Sequence, residues 1–155
     1  MVNVFISYAD KDKQRVIPVL DPLRNIQDVK IFFAEESISP GAEISKAIAD
    51  AIRRCDLFLV FYSVSAAQSN YVQQEIGLAK ANDKLIVPIL LDGTKPDAML
   101  LGVNYVDLSD PSKVQNEFNR LYSFVISNVK QHQQGQLIAI LAMVAIGCII
   151  ILSKK

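Results

Sequence analysis

The sequence predicts an open α/β fold in which a five-stranded parallel sheet carries helices on both faces. Short runs of apolar and β-branched residues alternate with segments of helical periodicity five times along the chain. The strand-like runs are apolar almost throughout, as is typical of strands covered on both faces. With 155 residues, the chain has the length of one domain with a sizeable core.

The first half of the chain contains three predicted strands and two predicted helices. The strands are predicted at 2–8, 28–33 and 57–62. Pro18 and Pro22 fall within the first helix, so we expect that helix to be broken or short. A polar loop at 34–41 ends on Pro40 and Gly41, which are typical turn residues, and an apolar stripe from Ala42 predicts the second helix.

The segment 69–75 opens the third predicted helix. Asn70 and Gln73 have the spacing of a capping box. Tyr71 and Glu75 are four residues apart and therefore share one helical face, beside the apolar stripe and not within it. An aromatic ring and a carboxylate thus lie near the end of a strand, where open α/β sheets bind ligands. Taken alone, the pair favours a surface carboxylate beside a half-buried tyrosine.

The remaining elements are two strands and a last helix. A fourth strand is predicted at 84–91, although Pro88 removes one hydrogen-bond donor from its ladder. A short strand is predicted at 105–108, and Asp110 and Pro111 open the last helix.

The strand order that we expect is the flavodoxin-like order 2-1-3-4-5, because right-handed crossovers leave few arrangements at this length. In that order the first and third strands are neighbours. Residues 9–12 would then face residues 63–75 across one crevice, with the loop at 34–41 nearby.

Composition and missing motifs exclude several function classes. Sixteen basic residues balance sixteen acidic ones without a basic block, so we expect no nucleic-acid partner. The chain has no Gly-rich phosphate loop, and its single histidine, His132, permits neither a Ser-His-Asp triad nor a multi-histidine metal site. Asp10 and Asp12 could form a metal-binding acidic pair, but we expect them to cap the first helix. Two cysteines indicate a reducing compartment.

The C-terminal tail is strongly apolar. After the polar segment 131–136, residues 137–152 carry no charge, and two lysines end the chain. Sixteen helical residues span about 24 Å, short of the roughly 30 Å hydrocarbon core, but flanking lysines can snorkel to the interface. We therefore predict a transmembrane-like helix at 137–153, a single-pass C-terminal anchor that leaves the folded domain in the cytoplasm. The alternative is a helix in the core of a larger assembly.

Several ordered motifs resemble those of the TIR (Toll/interleukin-1 receptor) domain family. Val4-Phe5-Ile6-Ser7-Tyr8 resembles the family's first box, and 36–41 resembles its BB loop. The segment 57–63 followed by 69–76 resembles the motif S-x-W-x-x-x-E, with Tyr71 in place of the tryptophan. Residues 86–89 resemble the family's fourth strand. The resemblance covers 1–130, which we take as the TIR domain, followed by a linker at 131–136.

The resemblance implies an enzyme that cleaves NAD, as its substrate and not as a cofactor, at the nicotinamide–ribose bond. It assigns the catalytic role to Glu75. The substrate-binding residues that it implies are Tyr71, Tyr8, Ala9, Asp10, Lys11 and Phe33. Lys11 is the nearest candidate for the pyrophosphate. The family also implies self-association with other TIR domains through Ile38, Pro40 and Gly41, and a role in innate immunity or antiviral defence. We expect no metal, because one histidine and two cysteines offer no such ligand set.

Two other functions remain open at this point. The chain could be a non-catalytic TIR adaptor or scaffold at a membrane. It could also be an oligomerising effector whose tail disrupts the bilayer, and that effector would remain toxic when Glu75 is replaced.

Overall fold

The computed structural model describes residues 1–33 and 46–153, with the side chains described through Leu137. Strands and helices alternate along this part of the chain. In order they are β1 (Val2–Ser7), α1 (Lys13–Arg24), β2 (Val29–Phe33), α2 (Lys46–Arg54), β3 (Leu57–Tyr62), α3 (Val64–Ala67), α4 (Asn70–Ala81), β4 (Leu85–Leu90), β5 (Val106–Asp107) and α5 (Val114–Ser153). Two short 3₁₀ turns, Asp10–Asp12 and Ala98–Leu100, precede α1 and β5.

The five strands form one parallel sheet in the order β2-β1-β3-β4-β5. This confirms the predicted strand order. Ser7, the last residue of β1, lies opposite Val60 of β3. The carboxyl ends of β1 and β3 therefore meet at one edge of the sheet, where the chain turns to α1 from one strand and to α3 from the other.

Helices cover both faces of the sheet and create two separate cores. The first core lies under α1 and α5, whose buried side chains are Val16, Leu20, Leu23, Leu121, Val125 and Val129. The second core lies under α2, α3 and α4, whose buried side chains are Ile48, Ile52, Ala66, Val72, Ile76 and Ala79. Strand residues alternate between the two, so Ile6 belongs to the first core and Phe5 to the second.

Helix α1 is one continuous helix of 12 residues with Pro18 and Pro22 inside it. The prediction of a broken or short helix was wrong. Each proline removes one backbone donor, but the buried face of the helix, which includes Val16 and Leu20, holds it against the sheet. Tertiary packing therefore overrides the local preference.

Pro88 lies in the middle of β4 and pairs in register with Val60 of β3. The neighbouring strand β5 is short and pairs only with Ile89 and Leu90. Pro88 therefore lies before the part of β4 that has strands on both sides, and its missing donor costs the sheet little.

Helix α5 continues through the predicted linker at 131–136 without a break, and Gln133 Nε2 donates to Asp28 Oδ2 in the loop before β2 at 2.7 Å. The side chains from 138 onward lie outside the described residues. Among the residues that were described, no helix has both the length and the apolar character needed to cross a membrane. This finding overturns the predicted transmembrane helix at 137–153 and, with it, the predicted single-pass anchor and cytoplasmic orientation.

Candidate active site

Glu75 is a buried carboxylate in the second turn of α4, with only 3% of its surface exposed. It follows the buried residue Val72 by three positions and precedes Ile76 by one, so it lies on the face that α4 turns to the second core. The expectation of a carboxylate outside the apolar stripe was therefore wrong. The helix is rotated so that the carboxyl group points inward, toward the end of the sheet.

Ser7 is the hydrogen-bond partner of this carboxylate. Its Oγ donates to Oε2 of Glu75 at 2.5 Å, and both side chains are buried. Ser7 shares its face of β1 with Phe5, two residues earlier, and that face belongs to the second core. The bond therefore joins the carboxyl end of β1 to the first half of α4 across 68 residues of sequence.

Burial raises the pKa of Glu75 from 4.5 to about 7, because the apolar surroundings disfavour the charged form. The hydrogen bond from Ser7 acts in the opposite direction and lowers the pKa, since a donated bond favours the carboxylate. With a pKa near neutrality, Glu75 exists in both protonation states at physiological pH. Such a group can stabilise a developing positive charge when it is ionised.

The start of α4 is fixed by Ser69, whose hydroxyl accepts from the backbone N–H of Val72 at 3.4 Å. The predicted cap at Asn70 was therefore one residue late, because Asn70 is the first residue of the helix. Gln73 does not complete a capping box, since its side-chain amide donates to the Ala66 carbonyl at 3.2 Å. These bonds fix α4 against α3 and so fix the direction of Glu75.

A second buried pair lies at the same edge of the sheet. Asp12 is 4% exposed and accepts a hydrogen bond from Ser63 Oγ, which follows β3 directly. The predicted helix cap was wrong for Asp12: it occupies the N-cap position of α1, but its side chain makes no capping bond. The carboxylate instead ties the start of α1 to the end of β3, with Arg15 Nη1 at 3.5 Å from it.

Arg15 extends this link to the next strand. Besides its ion pair with Asp12, its guanidinium donates to the backbone carbonyl of Leu91, just after β4. Asp92 accepts from the backbone N–H of Val64 at 3.0 Å, so α3 is also tied to the end of β4. The loops that follow β1, β3 and β4 are thus cross-linked by polar side chains.

The structure brings some of the other predicted site residues to Glu75 and not others. Ala9 is buried in the second core, on the side of the sheet where Glu75 lies, and Tyr71 is half-buried one turn before Glu75 on α4. Asp10 and Lys11 are exposed in the 3₁₀ turn after β1. The predicted self-association residues Ile38, Pro40 and Gly41 lie outside the described residues.

Two predicted substrate-binding residues lie on the other face of the sheet. Phe33 pairs in register with Ile6 and packs against the first core, with the Arg24 guanidinium 5.1 Å from its ring centre. Tyr8 also packs against the first core. The sheet separates both rings from the face that carries Ser7 and Glu75.

Comparison with known proteins settles the family. The family model for the TIR domain matches residues 4–122, which is most of the chain. The chain belongs to the TIR domain family. The match includes most of β1 and all of α4, so both Ser7 and Glu75 lie within the TIR domain.

One curated relative shares sequence with this TIR domain at a moderate level. The chain is 31% identical over 100 residues to a protein of Brachypodium distachyon named probable 2′ cyclic ADP-D-ribose synthase BdTIR. The match covers 64% of this chain and 44% of that protein. The chain therefore spans less than half the length of this relative.

Two solved structures resemble this TIR domain in fold. The TIR domain of the Toll-related receptor TRR-2 from Hydra magnipapillata has a TM-score of 0.64 at 23% identity, covering 79% of this chain and 96% of that chain. The CMP N-glycosidase BcmB from Clostridium botulinum has a TM-score of 0.53 at 24% identity, covering 77% and 97%. At these identities the likeness shows a shared fold alone.

The sequence did not predict the hydrogen bonds of three buried residues near the site, Ser7, Asp12 and Ser63. A signal was nevertheless present in the sequence, because Ser7 is a polar residue at the end of an otherwise apolar strand. Buried polar groups in proteins almost always have a hydrogen-bond partner. The sequence could have indicated that a partner exists, but only the packing of α4 against the sheet shows that the partner is Glu75.

Proposed function

We propose that this TIR domain cleaves NAD at the nicotinamide–ribose bond, with Glu75 as the catalytic carboxylate. The observation that carries the proposal is the buried Glu75 carboxyl beside the carboxyl end of β1, with its pKa raised to about 7. Membership of the TIR family and the relative named as a cyclic ADP-D-ribose synthase support this reaction class.

The proposed reaction needs few protein groups. The bond between ribose C1′ and the pyridinium nitrogen breaks, and its electron pair goes to that nitrogen, so neutral nicotinamide leaves without needing a proton. The ribosyl group passes through an oxocarbenium-like state, as in other glycosidic cleavages. The ionised Glu75 stabilises that positive charge and accepts hydrogen bonds from the ribose hydroxyls.

Water or an atom of the nucleotide then captures the ribosyl cation. Capture by water forms ADP-ribose and releases one proton. Capture by a hydroxyl oxygen of the same nucleotide forms a cyclic ADP-ribose signal and also releases the proton of that hydroxyl. We propose that one of these products signals in immune or antiviral defence.

The remaining roles are assigned by position. We assign stacking on a substrate ring to Tyr71, which is one turn from Glu75, and contact with the pyrophosphate to Lys11 in the exposed turn after β1. We assign further substrate contacts to Ala9 and Asp10, which lie just after β1 in the chain. Self-association through Ile38, Pro40 and Gly41 is part of the same proposal, because TIR enzymes commonly act as assemblies.

The test is NAD turnover by the purified chain, wild type beside Glu75→Gln, with the products resolved by chromatography. We expect the wild type to release nicotinamide and the variant to lose on the order of 100-fold or more of that rate, because the amide carries no charge. Glu117→Gln is the matched control, since Glu117 lies on α5 and contacts Arg120 and the backbone of Asp107.

The assay is run over a range of protein concentrations and with a crowding agent, so that assembly is not limiting. If the wild type releases no nicotinamide under any of these conditions, the chain is not an NAD-cleaving enzyme. Equal rates for wild type and Glu75→Gln would assign the cleavage to another residue.

A further inference from the structure

We propose that Ser7 is a positioning residue that holds the Glu75 carboxyl group in one orientation and favours its ionised form by donating a hydrogen bond to Oε2. The inference rests on the proposed function for its catalytic consequence. Its direct consequence, the ionisation of Glu75, is measurable without any substrate.

The geometry fixes Ser7 firmly. It is fully buried at the end of β1, a strand that pairs with β2 on one side and β3 on the other. Its backbone cannot move without breaking those ladders, so its hydroxyl is a rigid donor. By donating to Oε2, it limits rotation of the carboxyl group.

Burial and the hydrogen bond act on Glu75 in opposite directions. The apolar second core favours the neutral acid, whereas the Ser7 hydroxyl favours the carboxylate that accepts its proton. Without the hydroxyl, burial would act alone, and a larger share of Glu75 would be protonated at pH 7. A protonated acid cannot stabilise a ribosyl cation.

Several ionisable side chains on the neighbouring elements have partners other than Glu75. Asp50 on α2 pairs with Arg53 at 3.0 Å, and the hydroxyl of Tyr62 on β3 donates to Asp97 at the start of the second 3₁₀ turn. Asp12, after β1, accepts from Ser63. Within the described residues, Ser7 is the hydrogen-bond donor that lowers the pKa of Glu75.

The first experiment titrates Glu75 in the ligand-free full chain by carboxyl-¹³C NMR, with the resonance assigned through Glu75→Gln. We expect Ser7→Ala to lower the ionisation constant of Glu75 about tenfold, because a charge-assisted hydrogen bond is lost. Ser7→Thr keeps the hydroxyl, so its constant should remain close to that of the wild type.

Ser63→Ala is the matched control. Ser63 is also a buried serine at this edge of the sheet, but its hydroxyl donates to Asp12, so its loss should leave the Glu75 titration unchanged. If Ser7→Ala does not fold, Ser7→Cys provides the same comparison with a weaker donor and a smaller fall in the ionisation constant. The proposal would be overturned if neither Ser7→Ala nor Ser7→Cys changed the Glu75 titration. It would also be overturned if Ser63→Ala changed that titration as much as Ser7→Ala.

The second experiment measures the pH profile of nicotinamide release. The rate should rise as Glu75 ionises, and Ser7→Ala should move this rise to higher pH, with about a tenfold loss below pH 7 and a smaller loss at pH 9. A loss that is equal at every pH would show that Ser7 does not control ionisation. A shifted titration without any NAD cleavage would support the role of Ser7 and reject the proposed function, so the two failures are distinguishable.

Discussion

At the scale of single residues, Glu75 is placed where it does not favour folding. A carboxyl group that is buried in an apolar core has a raised pKa, and the charged form then destabilises the folded state. The Ser7 hydroxyl offsets only part of this cost. Such an arrangement is typical of functional sites, where reactivity and not stability decides the residue.

The pH dependence of stability follows from this raised pKa. The pKa of Glu75 is about 7 in the folded state and 4.5 without the fold, so its stabilising effect is complete below pH 4.5 and is lost as pH rises to 7. Glu75→Gln does not titrate. Between pH 5 and pH 8 we expect the wild type to lose about 2–3 kcal/mol of unfolding free energy relative to Glu75→Gln, measured by urea denaturation.

A control of opposite sign is available in the same chain. The Ser112 hydroxyl and backbone N–H hold the pKa of Asp110 below its usual value, so its contribution is lost as pH falls. Asp110→Asn should therefore be less stable than the wild type mainly near neutral pH, and the difference should shrink as pH falls. If the stability difference between wild type and Glu75→Gln is the same at pH 5 and pH 8, Glu75 is not a buried titrating group.

At the scale of elements, α1 shows packing prevailing over local sequence. Pro18 is exposed near the middle of the helix, where proline removes the hydrogen bond to the carbonyl four residues earlier. The helix persists because its opposite face is buried in the first core. Local sequence and global fold thus conflict at this position.

Pro18→Ala should therefore stabilise the protein. Alanine restores a backbone donor toward the Gln14 carbonyl and has the highest helix propensity, whereas proline rigidifies the unfolded chain. The first effect is the larger, so we expect a gain of about 1–2 kcal/mol in the free energy of unfolding, measured by chemical denaturation.

Pro96→Ala is the matched control, because Pro96 lies in the loop after β4 and outside any helix. There the substitution only makes the unfolded chain more flexible, and a small loss of stability is expected. A loss of stability in Pro18→Ala equal to that in Pro96→Ala would mean that α1 has adapted its backbone to the proline.

At the scale of the whole molecule, the sheet separates two cores with different tasks. Glu75 and Ser7 lie on the side of the second core, whereas the first core is a cluster of apolar side chains closed by α1 and α5. Helix α5 covers the first core with Leu121, Val125 and Val129 and is tied at Gln133 to the loop before β2. The first core therefore supports the sheet on which the site is built.

Leu121→Ala should accordingly destabilise the whole domain. Leu121 is fully buried, so its truncation removes apolar contacts and leaves a cavity in the first core, with an expected loss of about 2–5 kcal/mol in denaturant unfolding. Leu137→Ala, at a position 61% exposed, should change stability by about 0.5 kcal/mol or less. Similar losses in both variants would mean that α5 does not pack on the sheet as described.

The sequence predicted most of the fold because its signals were periodic and repeated. Five apolar runs, separated by helical stripes, identified all five strands and their order, since handed crossovers leave few alternatives. The exact ends of the helices and strands, and the short helix α3, were harder to predict from the sequence. Ser69 and Asn70 are both good caps, and the choice between them depends on how α4 packs on α3. The prediction for the tail was wrong: it rested on a charge-free apolar run with flanking lysines, whereas no helix of the described residues has the length and apolar character needed to cross a membrane.

The sequence by itself therefore determined the sheet and its two covered faces. It also determined that Glu75 lies near the carboxyl end of β1. Only the tertiary structure decided that the Glu75 carboxyl points inward and that Ser7 is its partner. It also decided that Phe33 and Tyr8 lie on the opposite face of the sheet from Glu75. The physical reason is that periodicity indicates which residues share a face, whereas helix rotation and strand register, which depend on packing against other elements, decide which side chains meet.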